Sequence, residues 1–297
     1  METKKKKIGF ILNPYAGIGG KAGLKGSDNY KKIEKLLLEG CERTASKRAE
    51  SCMSKIADLT ASLVAGDKGL VGEKNFSILS APGDMGEALL EKLKIPCDVV
   101  LCPKAHTSSA EDTKLCAQIM KEQGVDLLVF CGGDGTARDI CEAVGTDVTV
   151  LGIPAGVKMY SACYACNPYQ AGEMLAGWLE GKEMSYEMRE VLDIEEKDLD
   201  SRNISPQLYG FLEVLSDGKH LQKAKELDLG SGESATIIAR AAILRMEKDW
   251  VYIIGPGGTT WKIKELLCEN DEREDTGKKK VHQQNLYREI SGKAERK

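Results

Sequence analysis

The chain has 297 residues, of which 42% are hydrophobic and 30% charged, and its formal net charge is −4. This composition is typical of a globular protein with about two domains. The negative charge argues against a nucleic-acid partner, and no apolar run reaches the ~18 residues that a membrane-spanning helix needs. Ten scattered cysteines and the lack of a signal-peptide core favour a cytoplasmic protein.

Strands and helices alternate through the first half of the sequence. Apolar runs predict strands at Ile8–Asn13, Phe76–Ala81, Asp98–Cys102, Asp126–Cys131 and Val148–Ile153. Helical spacing predicts helices at Tyr30–Glu39, Ala45–Ala65, Met85–Lys94, Ser109–Gln123 and Ala137–Val144. This alternation indicates an α/β fold with a doubly wound parallel sheet.

The pattern changes after a further predicted helix that ends at Glu180. Two strands, Tyr186–Ile194 and Gln207–Leu215, follow without a helix between them, so they are expected to pair antiparallel. Helix Ser234–Lys248 and strand Trp250–Ile254 come next. These elements indicate a second, β-rich domain that is incomplete.

The predicted domain boundaries follow from these changes. We expect an α/β nucleotide-binding domain at residues 1–167 and a partial β-rich domain at residues 168–267. Residues 268–297 are rich in charge and poor in large apolar side chains. They are expected to form a disordered tail, because they cannot bury enough apolar surface to offset the entropy of ordering.

The most informative stretch is Gly132-Gly133-Asp134-Gly135-Thr136, which follows a predicted buried strand. In open α/β sheets, ligands bind at the carboxyl ends of the strands, where this stretch lies. Glycines there let backbone N–H groups approach a phosphate closely. Thr136 is expected near a helix start, where the helix dipole favours an anion. Asp134 is a carboxylate among groups suited to phosphate, so it indicates a hydroxyl or a metal as its partner. This pattern is the first indication of phosphoryl transfer.

A second glycine loop covers residues 13–23, after the first predicted strand. It fits the dinucleotide fingerprint G-x-G-x-x-A from Gly17 to Ala22, but Glu39, the acid at the expected distance, lies on a predicted helix. The Walker pattern fails, because alanine follows Gly20-Lys21 where serine or threonine is required. A backbone nest for phosphate and a plain surface turn both stay open.

A third glycine turn, Gly152 to Ser161, also follows a predicted strand. Alone it is typical of an ordinary strand-to-helix connection. With the other two, it makes three turns at the carboxyl ends of strands in one sheet, where they can converge on one ligand. No metal site is predicted, because Cys163 and Cys166 form an isolated C-x-x-C pair without further ligands nearby.

These three loops together resemble the NAD kinase and diacylglycerol kinase superfamily. Residues 23–28, 152–161 and 252–260 are similar to its ATP-NAD kinase-like, AcoX-like branch. Lipid kinases of the superfamily usually carry Asn-Asp after the Pro-x-Gly-Thr turn. Val157-Lys158-Met159 stands there in this chain, which points away from a lipid substrate.

The resemblance implies a magnesium-dependent kinase that transfers a phosphoryl group from ATP to a small molecule, with NAD as the acceptor and NADP as the product. It implies Asp134 as the catalytic residue, close to the acceptor hydroxyl or the metal. The implied nucleotide-binding residues are Asn13, Gly17, Gly19, Gly20, Asp28, Gly132, Gly133, Gly135, Thr136, Gly156, Lys158, Gly257 and Thr259. Lys158 or Arg138 is expected to neutralise phosphate charge.

The similarity ends near Leu267, whereas relatives continue with more of the second domain. The chain therefore resembles a family member that lacks the usual C-terminal part, and a homo-oligomer is left open. Two other classes also stay open. A nicotinamide-dependent oxidoreductase would use the Gly17 loop and leave Asp134 unexplained, and a non-catalytic nucleotide-binding protein would keep the loops without a completed pocket.

Overall fold

The computed structural model describes residues 5–18, 38, 40, 42–64, 76–101, 109–156, 159–193, 206–222, 232–247, 251–254 and 260–267. The chain divides into two compact units, Met1–Lys225 and Glu226–Lys297. In the part of the chain that the structure describes, no helix is long and apolar enough to cross a membrane.

The first unit is built on a seven-stranded sheet in the order β3-β2-β1-β4-β5-β7-β6. Its strands are β1 (Lys6–Leu12), β2 (Phe76–Ser80), β3 (Asp98–Val99), β4 (Leu127–Gly132), β5 (Val150–Pro154), β6 (Ser185–Asp193) and β7 (Gln207–Ser216). All neighbours are parallel except the antiparallel pair β6 and β7. Strand β4 is buried over its whole length, which explains why its sequence is a continuous apolar run.

Helices cover the sheet on both faces. They are α1 (Thr44–Val64), α2 (Glu87–Lys92), α3 (Ala110–Glu122), α4 (Asp134–Val144) and α5 (Pro168–Leu179), and a 3-10 turn at Gly83–Met85 precedes α2. Helix α1 packs against α5, and α3 packs against α4. Crossovers between parallel strands are right-handed, so helices that connect strands in opposite directions along the sheet lie on opposite faces.

The core of this unit reaches the carboxyl end of β4. Phe10, Phe130 and Tyr164 are among its largest fully buried side chains. The Tyr164 ring meets the Phe130 ring edge-on, with 5.5 Å between centroids, and its hydroxyl donates to the carbonyl oxygen of Gly133. Core packing therefore positions the backbone of the Gly132–Thr136 turn directly.

The predicted α/β fold with a doubly wound parallel sheet is confirmed. Strands β6 and β7 pair antiparallel as expected, but β7 also pairs with β5, at Val150 and Val214, and so extends the first sheet. Residues 168–225 consequently lie in the first compact unit, whereas the sequence places a domain boundary at residue 168. A separate β-rich domain stays a prediction.

In the second unit the structure describes α6 (Gly232–Leu244), residues 251–254 and a helical segment at residues 260–267. The predicted strand Trp250–Ile254 is wrong over residues 251–254, which pair with no described strand. Val251 and Ile253 are each 92% exposed, so the apolar run here is not buried as a strand requires. The tail predicted at residues 268–297, and nearly all of the helix predicted at Tyr30–Glu39, lie outside the described residues.

Candidate functional site

Strands β1 and β4 lie side by side in the sheet, and the chain leaves them in opposite directions. From β1 it runs towards β2 and β3, and from β4 it runs towards β5. Open α/β sheets bind ligands in the crevice at such a reversal, outside the carboxyl ends of the strands. Asn13 follows β1 and Gly133 follows β4, so two of the three predicted loops meet there.

Asn13 joins these two loops. Its Nδ2 donates to Thr136 Oγ1 at 3.0 Å, and its backbone N–H donates to the carbonyl oxygen of Cys131 at 2.9 Å. Its Oδ1 accepts from the backbone N–H of Tyr15 at 3.1 Å, which forms a local turn. Asn13 therefore fixes the start of the first loop, and a direct contact between Asn13 and nucleotide stays a prediction.

The turn after β4 leads into the N-terminus of α4. The helix begins at Asp134 and not at Ala137 as predicted, so Asp134, Gly135 and Thr136 form its first turn. Gly133 precedes the helix and supplies no side-chain cap. A Cβ atom on Gly133 would meet no heavy atom within 4 Å. An uncapped helix N-terminus beside open space is suited to bind an anion.

Two other glycines of the site are required by close packing. A Cβ atom on Gly132 would lie 2.4 Å from the side chain of Thr136, which is buried. Gly17 has a φ of +79°, and a Cβ atom there would lie 2.4 Å from the carbonyl oxygen of Ala155. Gly17 thus brings the loop after β1 against the end of β5.

Asp134 connects the turn after β4 to the segment after β5. Its half-buried carboxylate accepts backbone N–H groups from Tyr160, at 2.9 Å and 3.1 Å, and from Ser161, at 2.8 Å. Burial raises the pKa of Asp134, and these N–H donors oppose that rise by stabilising the ionised form. The carboxylate is therefore a structural contact as well as a candidate acid.

Sequence reasoning named Arg138 and Ser161 but missed the contacts by which they complete this network. Buried Ser161 donates its hydroxyl to the carbonyl oxygen of Leu192 at 2.9 Å and accepts from the N–H of Leu192 at 3.1 Å. Asp193 accepts from Arg138 Nη1 at 3.0 Å, and the Arg138 guanidinium lies 5.3 Å from the Tyr209 ring centroid. No local pattern could have found the Arg138–Asp193 pair, because it joins residues 55 positions apart.

The described part of the predicted site lies around the ends of β1, β4 and β5. Gly156 is held there because Arg48 Nη1 donates to its carbonyl oxygen at 3.0 Å. Six predicted site residues lie outside the described residues, and their roles stay predictions: Gly19, Gly20, Asp28, Lys158, Gly257 and Thr259. Among the described residues, no three cysteine, histidine or acidic side chains converge on a metal site.

Known proteins are similar to parts of this chain. Residues 8–183 match the model of the ATP-NAD kinase N-terminal domain. A crystal structure of a candidate diacylglycerol kinase from Bacillus anthracis str. Sterne aligns with 14% identity and a TM-score of 0.30, over 62% of this chain. The aligned part spans 44% of that protein's chain. Comparison with curated proteins gives no significant match.

The two glycines before Asp134 should respond differently to alanine. Gly132→Ala is expected to lower the free energy of unfolding by about 1–3 kcal/mol, because its Cβ atom meets the buried Thr136 side chain. Gly133→Ala should lower it by at most about 1 kcal/mol, since only the helix-cap preference changes. Urea unfolding of both variants measures the difference. Equal losses would contradict the packing role assigned to Gly132.

Proposed function

The chain belongs to the ATP-NAD kinase family, and on that premise we propose that it transfers the terminal phosphoryl group of ATP to a hydroxyl of a small molecule. The proposed acceptor is the adenosine ribose hydroxyl of NAD. The observation that supports the proposal best is the uncapped N-terminus of α4, at the point where the chain reverses direction between β1 and β4.

Phosphoryl transfer requires positioning and charge stabilisation more than covalent chemistry, because its transition state is loose. The N–H groups of Asp134, Gly135 and Thr136 would bind phosphate oxygens at the end of α4 where the helix dipole is positive. The open space at Gly133 admits the phosphate close to the backbone. The Gly17 loop and the turn at Gly156 would border the same crevice.

Asp134 is the residue that we propose acts on the acceptor or the metal. Magnesium is held by one or two carboxylates together with phosphate oxygens, so a single carboxylate in the turn fits this mode. An ionised carboxylate has about four lone-pair sites, and the N–H groups of Tyr160 and Ser161 make three hydrogen bonds to it, so about one site would remain for a further contact. Magnesium, when bound, would neutralise phosphate charge, and Asp134 would accept the proton of the acceptor hydroxyl.

A specific observation favours a second candidate, a nucleotide-binding protein without transfer activity. The carboxylate of Asp134 already accepts two backbone N–H groups, and this arrangement would be needed even if Asp134 had no role beyond folding. Both candidates bind nucleotide at α4. They differ in whether the Asp134 charge takes part in chemistry.

ATP with magnesium should raise the melting temperature of the protein. A ligand that binds only the folded state at 100 times its dissociation constant adds about 2.7 kcal/mol of stability. Differential scanning fluorimetry measures the shift, and adenosine, which lacks phosphate, is the control. The absence of a shift with any nucleotide at millimolar concentration would contradict phosphate binding at α4.

Asp134→Asn should separate the two candidates. The substitution keeps the shape but removes one acceptor, so we expect a loss of about 1–3 kcal/mol in stability from an unpaired N–H group. If Asp134 is the general base, transfer from labelled ATP to NAD should fall by roughly 10²- to 10⁴-fold per folded molecule. Asp147→Asn is the matched control, because Asp147 is exposed and pairs with Lys121. Unchanged transfer in Asp134→Asn would leave only the nucleotide-binding candidate.

The pH dependence of transfer provides an independent test. A general base must be ionised, and burial raises the pKa of Asp134. The rate should therefore fall as pH is lowered, with a midpoint above the ordinary pKa of an aspartate. Measurement of kcat/KM against pH shows the midpoint, because kcat/KM reports the pKa in the free enzyme, and this acid limb should be missing in Asp134→Asn. A midpoint at or below the ordinary value would contradict the assignment.

A further inference from the structure

A cavity of about 480 Å³ lies beside α1 in the first unit. Its walls include the first two turns of α1, Gly156 after β5 and Cys166 before α5. No acidic residue is among the described residues that line it. Its volume is in the range of small-molecule sites, and two basic side chains, Lys47 and Arg48, line it.

Arg48 is the central basic group of this cavity. Its Nη1 donates to the carbonyl oxygens of Pro154 and Gly156, both at 3.0 Å, and these bonds fix the guanidinium in place. A guanidinium has five N–H donors. In the part of the chain that the structure describes, Nε and Nη2 of Arg48 form no hydrogen bond. A fixed guanidinium with unused donors is preorganised to bind a phosphate or a carboxylate.

Other lining groups add donors and positive charge. Lys47 forms an ion pair with Glu42 at 2.8 Å, and both side chains are largely exposed. Such a surface pair contributes little to the stability of the protein, so a phosphate bound to Lys47 could replace Glu42 as its partner. Ser51 and Gln222 also line the cavity, and each carries a side-chain group that can donate a hydrogen bond to an anion.

We propose that this cavity is an anion site for the phosphate group of a phosphorylated small molecule. Its basic residues, Lys47 and Arg48, belong to α1 and not to α4, and the proposal does not depend on phosphoryl transfer. The cavity nevertheless borders the first loop, because a Cβ atom on Gly17 would lie 3.6 Å from the Cβ atom of Thr44. It also shares Gly156 with the proposed nucleotide site.

Cys166 provides a local reporter of phosphate binding. Cys166 is an exposed residue that lines the cavity, and its thiol donates to the carbonyl oxygen of Leu221 at 3.3 Å, whereas Cys97 is half-buried and is not among the described lining residues. Inorganic phosphate at millimolar concentration should slow alkylation of Cys166 by iodoacetamide several-fold and leave Cys97 unchanged. Peptide mass spectrometry measures both rates. An unchanged Cys166 rate would overturn the proposal.

Two lysine variants locate the phosphate. In Lys47→Gln, the phosphate concentration that gives half-maximal protection of Cys166 should rise by about three- to tenfold. The reason is that the substitution removes one cation from the cavity. Lys92→Gln is the matched control: Lys92 is 63% exposed, against 64% for Lys47, and it also forms an exposed ion pair. In this variant, phosphate should protect Cys166 at the same concentration as in the unmodified protein.

A third variant distinguishes this site from the nucleotide site. Gly133→Ala adds a methyl group at the N-terminus of α4, where it meets no other atom, and should leave phosphate protection of Cys166 intact. Protection that survives Lys47→Gln but is lost in Gly133→Ala would place the phosphate at α4 and overturn the proposal. Circular dichroism confirms that each variant is folded, and Ser51→Ala, a second cavity variant, replaces Lys47→Gln if that protein is unstable. Nucleotide binding and transfer are measured separately, so either proposal can fail alone.

Discussion

The candidate site depends on the hydrogen bonds from the backbone of Tyr160 and Ser161 to the carboxylate of Asp134. A half-buried carboxylate is costly unless donors compensate for its lost water. Here two backbone N–H groups stabilise the charged carboxylate. The dipole of α4 also stabilises it, because Asp134 is the first residue of that helix. The same bonds hold the segment after β5 against the turn after β4. Ser161 then extends the constraint to β6 through its hydroxyl, which bonds to Leu192 in both directions.

The glycines of the site fall into two physical classes. Gly17, Gly132 and Gly152 are required because a Cβ atom would lie 2.4–2.6 Å from the carbonyl of Ala155, the side chain of Thr136 and the residues at 163–164, respectively. Gly133 instead faces open space. A glycine motif in the sequence shows only that the backbone must be free of side chains. The structure distinguishes the glycines that are closely packed from the one that faces open space.

The sequence predicts the parts of the site that depend on neighbouring residues. The apolar run 127–131 and the glycines after it specify a buried strand and a tight turn without reference to the rest of the chain. It does not predict contacts that link distant segments, such as Arg138 with Asp193, or the pairing of β7 with β5. Residues 251–254 show the converse: an apolar, β-branched run predicts a strand, yet no described strand pairs with it. Pairing is a tertiary property, so local pattern cannot specify it.

The charges around α4 explain why a cation is needed for the proposed reaction. A phosphate at the helix N-terminus brings negative charge close to Asp134, which raises the pKa of that carboxyl further and disfavours the ionised form that a base requires. Arg138 is close by, but it is paired with Asp193 and also lies near Asp139, so it contributes little net positive charge. Additional positive charge must therefore arrive with the nucleotide or from another part of the chain. Magnesium bound to the phosphates would supply it and keep Asp134 ionised while the acceptor hydroxyl reacts.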